Sequence, residues 1–331
     1  MGTRKLKHDG GAGTQMKHLV NFENFTKDDI VCLINLAYSI KIFPEKYADR
    51  LKGKKLYTLF EKTSTRTYLS FATGMTELGG TAYNQNWEDS NFLIGETTSE
   101  IKYVGRNVDI IMARLKKSET TRLFEQNSTV PFINGCDNTF HPCQALADIL
   151  TICEKCGTYE RKVLYIGAKN NTFNSLCEII CKLGGTIYGL TPLVNVMGVD
   201  DSFYDKMKAT GHYIEVPASS TTDEIRALVK EMDVVYTDTW VDMEFFNNPA
   251  YREKKEETIA KMMPYQVNEK LMEGSRAIVL HDMPIHEGFE ISKGVMDENI
   301  EHILDQAENR RHAEKAIMLH LLGCDKIAPA E

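Results

Sequence analysis

No stretch of the 331 residues stays apolar for the roughly 18–20 positions that a membrane-spanning helix needs. Positive charge is not in excess either. Lys and Arg total 39 against 47 Asp and Glu, a net charge of −8. That is the wrong sign for the polyanionic backbone of a nucleic acid, although it leaves room for small anions in a local pocket. A secretory leader is not evident: residues 1–15 carry Lys and Arg but no apolar core. This Gly-rich polar stretch is expected to be disordered, an extension or tag ahead of a start near Met16, and the protein is expected in the cytoplasm. Of eight cysteines, only Cys153 and Cys156 form a C-x-x-C, and no second pair stands at zinc spacing. Reduced thiols without a metal are therefore expected. No internal repeat or low-complexity tract is visible. With 42% apolar and 26% charged residues, the chain can bury a sizeable core, and its length suits two domains.

Helical spacing and short apolar runs alternate along the chain. Residues 26–40 place Ile30, Leu33, Ile34 and Ala37 on one helical face behind Thr26 as a cap. In the first half, strands are expected at 55–60, 107–113 and 129–134, and helices at 64–78 and 141–153. In the second half, strands at 162–167, 186–190, 212–216, 233–237 and 276–280 alternate with helices at 174–183, 201–209 and 222–232. Alternation of this kind builds parallel sheets through right-handed crossovers. The expected fold is α/β: two doubly wound parallel-sheet domains of similar size, joined near 150–160. A last helix near 306–322 would pack back on the first domain.

Polar residues gather at the strand–helix junctions. Phe60-Glu61-Lys62-Thr63-Ser64-Thr65-Arg66-Thr67 runs from a strand into a helix, combining free backbone N–H groups, hydroxyls and an Arg. Such a point suits an oxyanion or phosphate, though Ser and Thr there also serve as plain caps. His141 and Gln144 stand at another helix start and can both donate toward a carbonyl oxygen; a cap histidine would look the same. Arg114 directly follows a buried strand, at the sheet edge where ligands bind in open α/β folds, unless it is only a surface Arg. After Gly167 the dinucleotide fingerprint G-x-G-x-x-G is absent. Asn170 and Asn171 instead offer amides to a polar ligand. Asp238 and Asp282 each follow a strand, and Asp238 can accept from an ammonium group. His281, His286 and Asp282 match no established metal-ligand spacing.

Taken in order, these segments resemble the aspartate/ornithine carbamoyltransferase family, from about residue 17 to 323. The strongest marks are Ser64-Thr65-Arg66-Thr67, His141-Pro142-Cys143-Gln144 followed by Ala147-Asp148, and Glu308-Asn309-Arg310. The resemblance implies that Ser64, Thr65, Arg66 and Thr67 hold the phosphate of carbamoyl phosphate. Arg114, His141 and Gln144 would hold its carbamoyl end, and Arg310 would close on it from the last helix. It implies a carbamoyl phosphate domain at 16–152 plus 306–323 and an amino-acid domain at 153–305. It also implies a homotrimer, with a neighbour's loop, around 87–95, entering each site. No cofactor is expected, because preorganised N–H, Arg and His donors suffice to stabilise charge on a carbonyl oxygen and a leaving phosphate.

The acceptor half resembles the ornithine enzymes. Asn171 would meet the α-carboxylate and Asp238 the α-amino group, with Met243, Asp282 and Met283 completing the pocket. Residues 237–246 and 281–288 contain neither Arg nor Lys, which disfavours aspartate as the acceptor. Arg114, His141, Asp282 and Arg310 are the expected catalytic set, with Asp282 standing where the ornithine enzymes carry a cysteine. Transfer to L-ornithine, giving L-citrulline and phosphate, is the expected activity, reversible and open to use in either direction. Transfer to another amine such as putrescine, and a non-catalytic paralogue, are the alternatives.

Overall fold

The computed structural model describes residues 18–194, 200–241 and 243–325. The extension expected at 1–15 lies outside them. The first domain carries β1 (Lys55–Phe60), β2 (Thr81–Asn86), β3 (Ile110–Arg114) and β4 (Phe132–Cys136), all parallel, in the order β2-β1-β3-β4. The second carries β5 (Lys162–Lys169), β6 (Thr186–Val194), β7 (Tyr213–Val216), β8 (Val234–Thr237) and β9 (Ile278–His281), again parallel, in the order β7-β6-β5-β8-β9. Central strands such as β3 and β5 are buried along nearly their whole length. That is why they read as apolar runs rather than as alternations.

Strand β2 escaped the sequence reading for the opposite reason. Its TAYNQN has no buried residue, as befits an edge strand. Helices Thr97–Gly105 and Ser118–Asn127 were also missed; the second has only two buried residues, Thr121 and Phe124.

Local chemistry sets the helix ends that matter for the site. Ser64 accepts from the Thr67 N–H and starts helix Thr65–Glu77. Pro142 opens helix Pro142–Cys156, where its missing N–H costs nothing, and Gly157 at φ +83° closes it. Asn170 caps helix Asn171–Leu183 through Phe173 N. These last two helices pack together, with Leu146, Ile149, Ile179 and Ile180 in one core that runs continuously between the two sheets.

The last helix requires a correction. It does not begin at 306 but runs unbroken over Lys293–Leu321, capped by Ser292. Its first half is studded with Asp297, Glu298, Asn299 and Glu301, and only Val295 and Ile303 are buried before Gln306. The apolar period therefore becomes readable only in the second half, which packs on helices Lys27–Ile42, Thr65–Glu77 and Pro142–Cys156. The same helix also contacts β9, so one rigid rod ties both sheets together. Among the described residues no helix is long and apolar enough to cross a membrane.

Candidate active site

The carboxyl ends of both sheets face one cavity of about 340 Å³. In each sheet it lies where the strand order reverses, between β1 and β3 and between β5 and β8. This is the position at which doubly wound sheets bind ligands.

One end of the cavity is cationic. Arg66, Arg114 and Arg310 reach it from helix Thr65–Glu77, the end of β3 and the last helix, with Lys62 and Lys116 nearby. The fully buried Thr67 organises two of them. Its hydroxyl oxygen accepts from Arg114 Nη1 at 3.2 Å and from Arg310 Nη2 at 2.6 Å. The third, Arg66, donates through Nη2 to the Met283 carbonyl of the second domain at 2.5 Å. Three guanidiniums beside a helix N-terminus make a strong anion site. Ser64 serves that helix as its cap, and Thr65 is exposed at its first position.

His141 stands beside this cluster, 4% exposed, held by its backbone N–H donating to Ser175 Oγ at 2.7 Å. Burial, then Arg310, Arg114 and Arg66, push its pKa well below the ordinary value, so the imidazole is neutral. Its Nδ1 is buried without a hydrogen-bond partner. A neutral ring keeps one N–H donor for a carbonyl oxygen without adding a further cation. Gln144 is placed differently from expectation. Its Nε2 donates to Asp148 Oδ1 at 2.8 Å, away from the cavity lining, while its Oε1 is buried and unpartnered. Asp148 in turn accepts from Gln306 Nε2 at 2.7 Å and Tyr236 OH at 3.2 Å, linking three elements.

The opposite end is lined by two carboxyl groups. Asp238 follows β8 and accepts from Asn170 Nδ2 at 2.7 Å and from Thr239 N at 2.6 Å. Burial, and then its neighbour Asp282, push its carboxyl well above the usual carboxylate range. Asp282 follows β9, accepts from Thr172 Oγ1 at 3.2 Å through one oxygen and keeps the other buried and unpartnered. Met283, at φ +60°, turns the chain so that its carbonyl meets Arg66, and it lines the cavity with Pro284. Asn171 lines the cavity too, but its amide donates to the Asp137 carbonyl at 2.6 Å and to Cys136 Sγ at 3.1 Å, pinning the two domains together. Met243 opens a short helix, Met243–Phe246, and its side chain lies outside the described residues.

Ligand-capable atoms of Asp238, His281 and Asp282 lie within 4.8 Å of one another. A metal does not suit them. His281 Nδ1 already accepts from Met283 N at 2.8 Å, and Nε2 is bonded to Glu290 at 3.1 Å, so no ring lone pair is spare. Cys136 and Asp137 were missed as cavity residues by the sequence reading. Their signal was available, since Cys136 ends the buried β4 as Arg114 ends β3, and Asp137 follows it directly.

Comparison with known proteins agrees with this layout. The family model described as aspartate/ornithine carbamoyltransferase, carbamoyl-P binding domain, matches residues 17–154, and its Asp/Orn binding domain matches 159–321. The ornithine carbamoyltransferase of Archaeoglobus fulgidus is 35% identical over 322 residues, covering 93% of this chain and 98% of that one. That of Caldicellulosiruptor saccharolyticus is 36% identical over 312 residues, covering 92% and 98%. Among solved structures, ornithine carbamoyltransferase from Pyrococcus furiosus matches with a TM-score of 0.83 at 32% identity, covering 93% of this chain and 97% of that one. The anabolic enzyme from Campylobacter jejuni subsp. jejuni gives 0.82 at 30%, covering 92% and 99%.

Proposed function

The chain belongs to the aspartate/ornithine carbamoyltransferase family, and from that premise we propose that it transfers the carbamoyl group of carbamoyl phosphate to the side-chain amine of L-ornithine. The observation that carries this reading is the polarity of one cavity: three guanidiniums and a neutral His141 at one end, two carboxylates at the other. The amine nitrogen attacks the carbonyl carbon, the C–N bond forms, the C–O bond to phosphate breaks, and phosphate leaves with the proton shed by the attacking nitrogen. Arg66 and Arg310, with the first turn of helix Thr65–Glu77, hold the phosphate and take up its growing charge. Arg114 and His141 donate toward the carbonyl oxygen. Ser64, Thr65 and Thr67 shape that end, and Gln144 supports it from behind through Asp148. In the acceptor half, Asp238 takes the α-amino group, Asn171 the α-carboxylate once it releases Asp137, and Met283 flanks the side chain. Asp282 adds a carboxylate beside the amine that must lose a proton before attack. None of these steps needs an organic cofactor or a metal.

A dicarboxylate acceptor would meet Asp238 and Asp282 with like charge, which argues against aspartate. Residues 16–152 with 306–323 form the carbamoyl phosphate domain in this reading, and 153–305 the acceptor domain. The working form is a homotrimer. Trp87 packs tilted on Phe92, which stacks in a row with Phe124 and Phe132 and anchors the 87–95 loop from inside, while Leu93 and Ile94 are 58% and 82% exposed. Exposed aliphatic side chains on an anchored loop suit insertion against a neighbour. Eight free cysteines fit a reducing compartment such as the cytoplasm. The deciding assay is phosphate release from carbamoyl phosphate with ornithine, putrescine, lysine or aspartate. Turnover with ornithine alone supports the proposal, and preference for any other acceptor refutes it.

A further inference from the structure

On the last helix, one turn beyond Arg310, stands a carboxylate that the proposed chemistry does not use. Glu314 is fully buried, and neither of its carboxylate oxygens has a hydrogen-bond partner among the described residues. Its Oε1 lies 3.9 Å from Arg310 Nη2, the nitrogen that donates to Thr67. An ion pair at that separation, without a hydrogen bond, does not repay the cost of taking a carboxylate out of water. Three groups face Glu314. From helix Thr65–Glu77 comes Ser70, whose hydroxyl donates to the Arg66 carbonyl at 2.8 Å. Helix Pro142–Cys156 contributes Cys143, a buried thiol whose own pKa burial raises. The third, Arg310 on its own helix, is the only cation facing it among the described residues. Burial pushes the Glu314 carboxyl up to about 8, and Arg310, then the nearby Ser70 hydroxyl, draw it back only in part.

We propose that Glu314 is a positioning residue that couples phosphate capture to a proton: protonated, it leaves Arg310 to the anion, and ionised, it competes with the anion for that guanidinium. The proposal rests on reading Arg66, Arg114 and Arg310 as the phosphate site. A bound dianion takes Arg310's charge away from Glu314 and adds repulsion, so binding raises the Glu314 carboxyl further. Above about pH 8 the site must therefore take up a proton as it binds, and affinity must fall as pH rises.

Calorimetric titration of the full chain with inorganic phosphate between pH 8 and 9.5, in two buffers of different ionisation heat, reads this directly, because phosphate is already a dianion there. The wild type should take up more than half a proton per site at pH 9 and lose roughly tenfold in affinity across the range. Glu314→Gln, which mimics the protonated side chain, should take up none and hold its affinity level. A merely structural role would move neither proton count nor slope. Absence of proton uptake by the wild type overturns the proposal even if the variant fails to fold, and so does an identical slope in Glu314→Gln. Phosphate binding that survives Arg66→Ala undiminished overturns the anion-site reading itself, and the proposal with it.

Discussion

Replacing Asp282 with Asn tests the acceptor end of the cavity most sharply, because it removes one charge and keeps the shape. The carboxylate oxygens of Asp238 and Asp282 approach within 4.8 Å. Two unit charges at that distance, at an effective dielectric of about 20, repel by roughly 3 kcal/mol. Arg66 faces the same pair and offsets part of this, so the net effect of removing the Asp282 charge is smaller than that, with its sign kept. The sign follows from the pair itself. Asp238 is held protonated to higher pH by burial and then by Asp282. Without the Asp282 charge it ionises at lower pH, and an acceptor ammonium is captured at lower pH. The proton that the amine must lose also leaves more readily when one carboxylate fewer stabilises the ammonium. Both effects move the same way. The acid limb of kcat/KM for ornithine, measured by phosphate release from pH 5.5 to 9.5, should shift to lower pH in Asp282→Asn. The acceptor KM above pH 8 should rise severalfold. Asp282→Cys, restoring the side chain that the ornithine enzymes carry, should shift the limb in the same direction. An acid limb and an acceptor KM both unmoved would mean that Asp282 does not face the amine, and the reasoning would fail.

Arg66→Ala should abolish turnover and weaken phosphate binding by at least a hundredfold while far-ultraviolet circular dichroism stays unchanged, since the side chain pairs across the cleft rather than packing in a core; near-normal carbamoyl phosphate affinity would place the anion elsewhere. Sedimentation equilibrium should give three times the 37.6 kDa chain mass, and Ile94→Asp should lower both that mass and the activity together. An active monomer would refute the shared site. Asp148 is raised by burial to about 7, so the folded state binds a proton that the unfolded state releases near pH 4. This group alone should therefore cost up to about 4 kcal/mol of stability as pH climbs from 4 to 7. Asp148→Asn should remove that share of the slope in urea melts and leave the shares of Glu178 and Glu314, which burial raises to about 7 and about 8; a slope unchanged from the wild type would refute the assignment.

Most of the architecture could be read from the residues because burial and periodicity agree in the central elements. β3 and β5 are covered on both faces and show it as apolar runs. Where burial is one-sided or absent the signal fades. β2 is an edge strand with no buried residue, held to β1 by backbone pairing and by polar side-chain contacts of Asn84 and Gln85 rather than by an apolar stripe. The start of the last helix, too, is solvated and polar, so nothing local distinguishes Lys293 from Gln306 as its origin. A helix cap at Ser292 was there to be found, but a single Ser carries little information without an apolar stripe behind it.

The site was legible to the extent that it sits on strand ends, and less so where side chains choose among partners. Arg66, Arg114, His141, Asp238 and Asp282 arrive in one cavity because parallel sheets present every carboxyl end to the same side, and Arg310 joins them from the last helix. Spacing alone could not say that Gln144 turns to Asp148 or that Asn171 reaches back to Asp137. Gln144 and Asp148 stand one helical turn apart, where the pair could equally have left Gln144 free for a ligand, and the Asn171 contact crosses the domain junction; both spend a donor assigned to a substrate. The same limit hides Glu314. In RRHAEKAIM the charged residues look like the outer face of an amphipathic helix, yet His312, Glu314 and Lys315 are all buried. That helix is enclosed on several sides by helices Lys27–Ile42, Thr65–Glu77 and Pro142–Cys156. Enclosure turns ordinary surface charges into strongly perturbed ones. Lys315 finds Glu77 at 2.6 Å, whereas Glu314 finds only Arg310 at 3.9 Å. The carboxylate left without a hydrogen bond is therefore the one placed directly behind the guanidinium assigned to the phosphate.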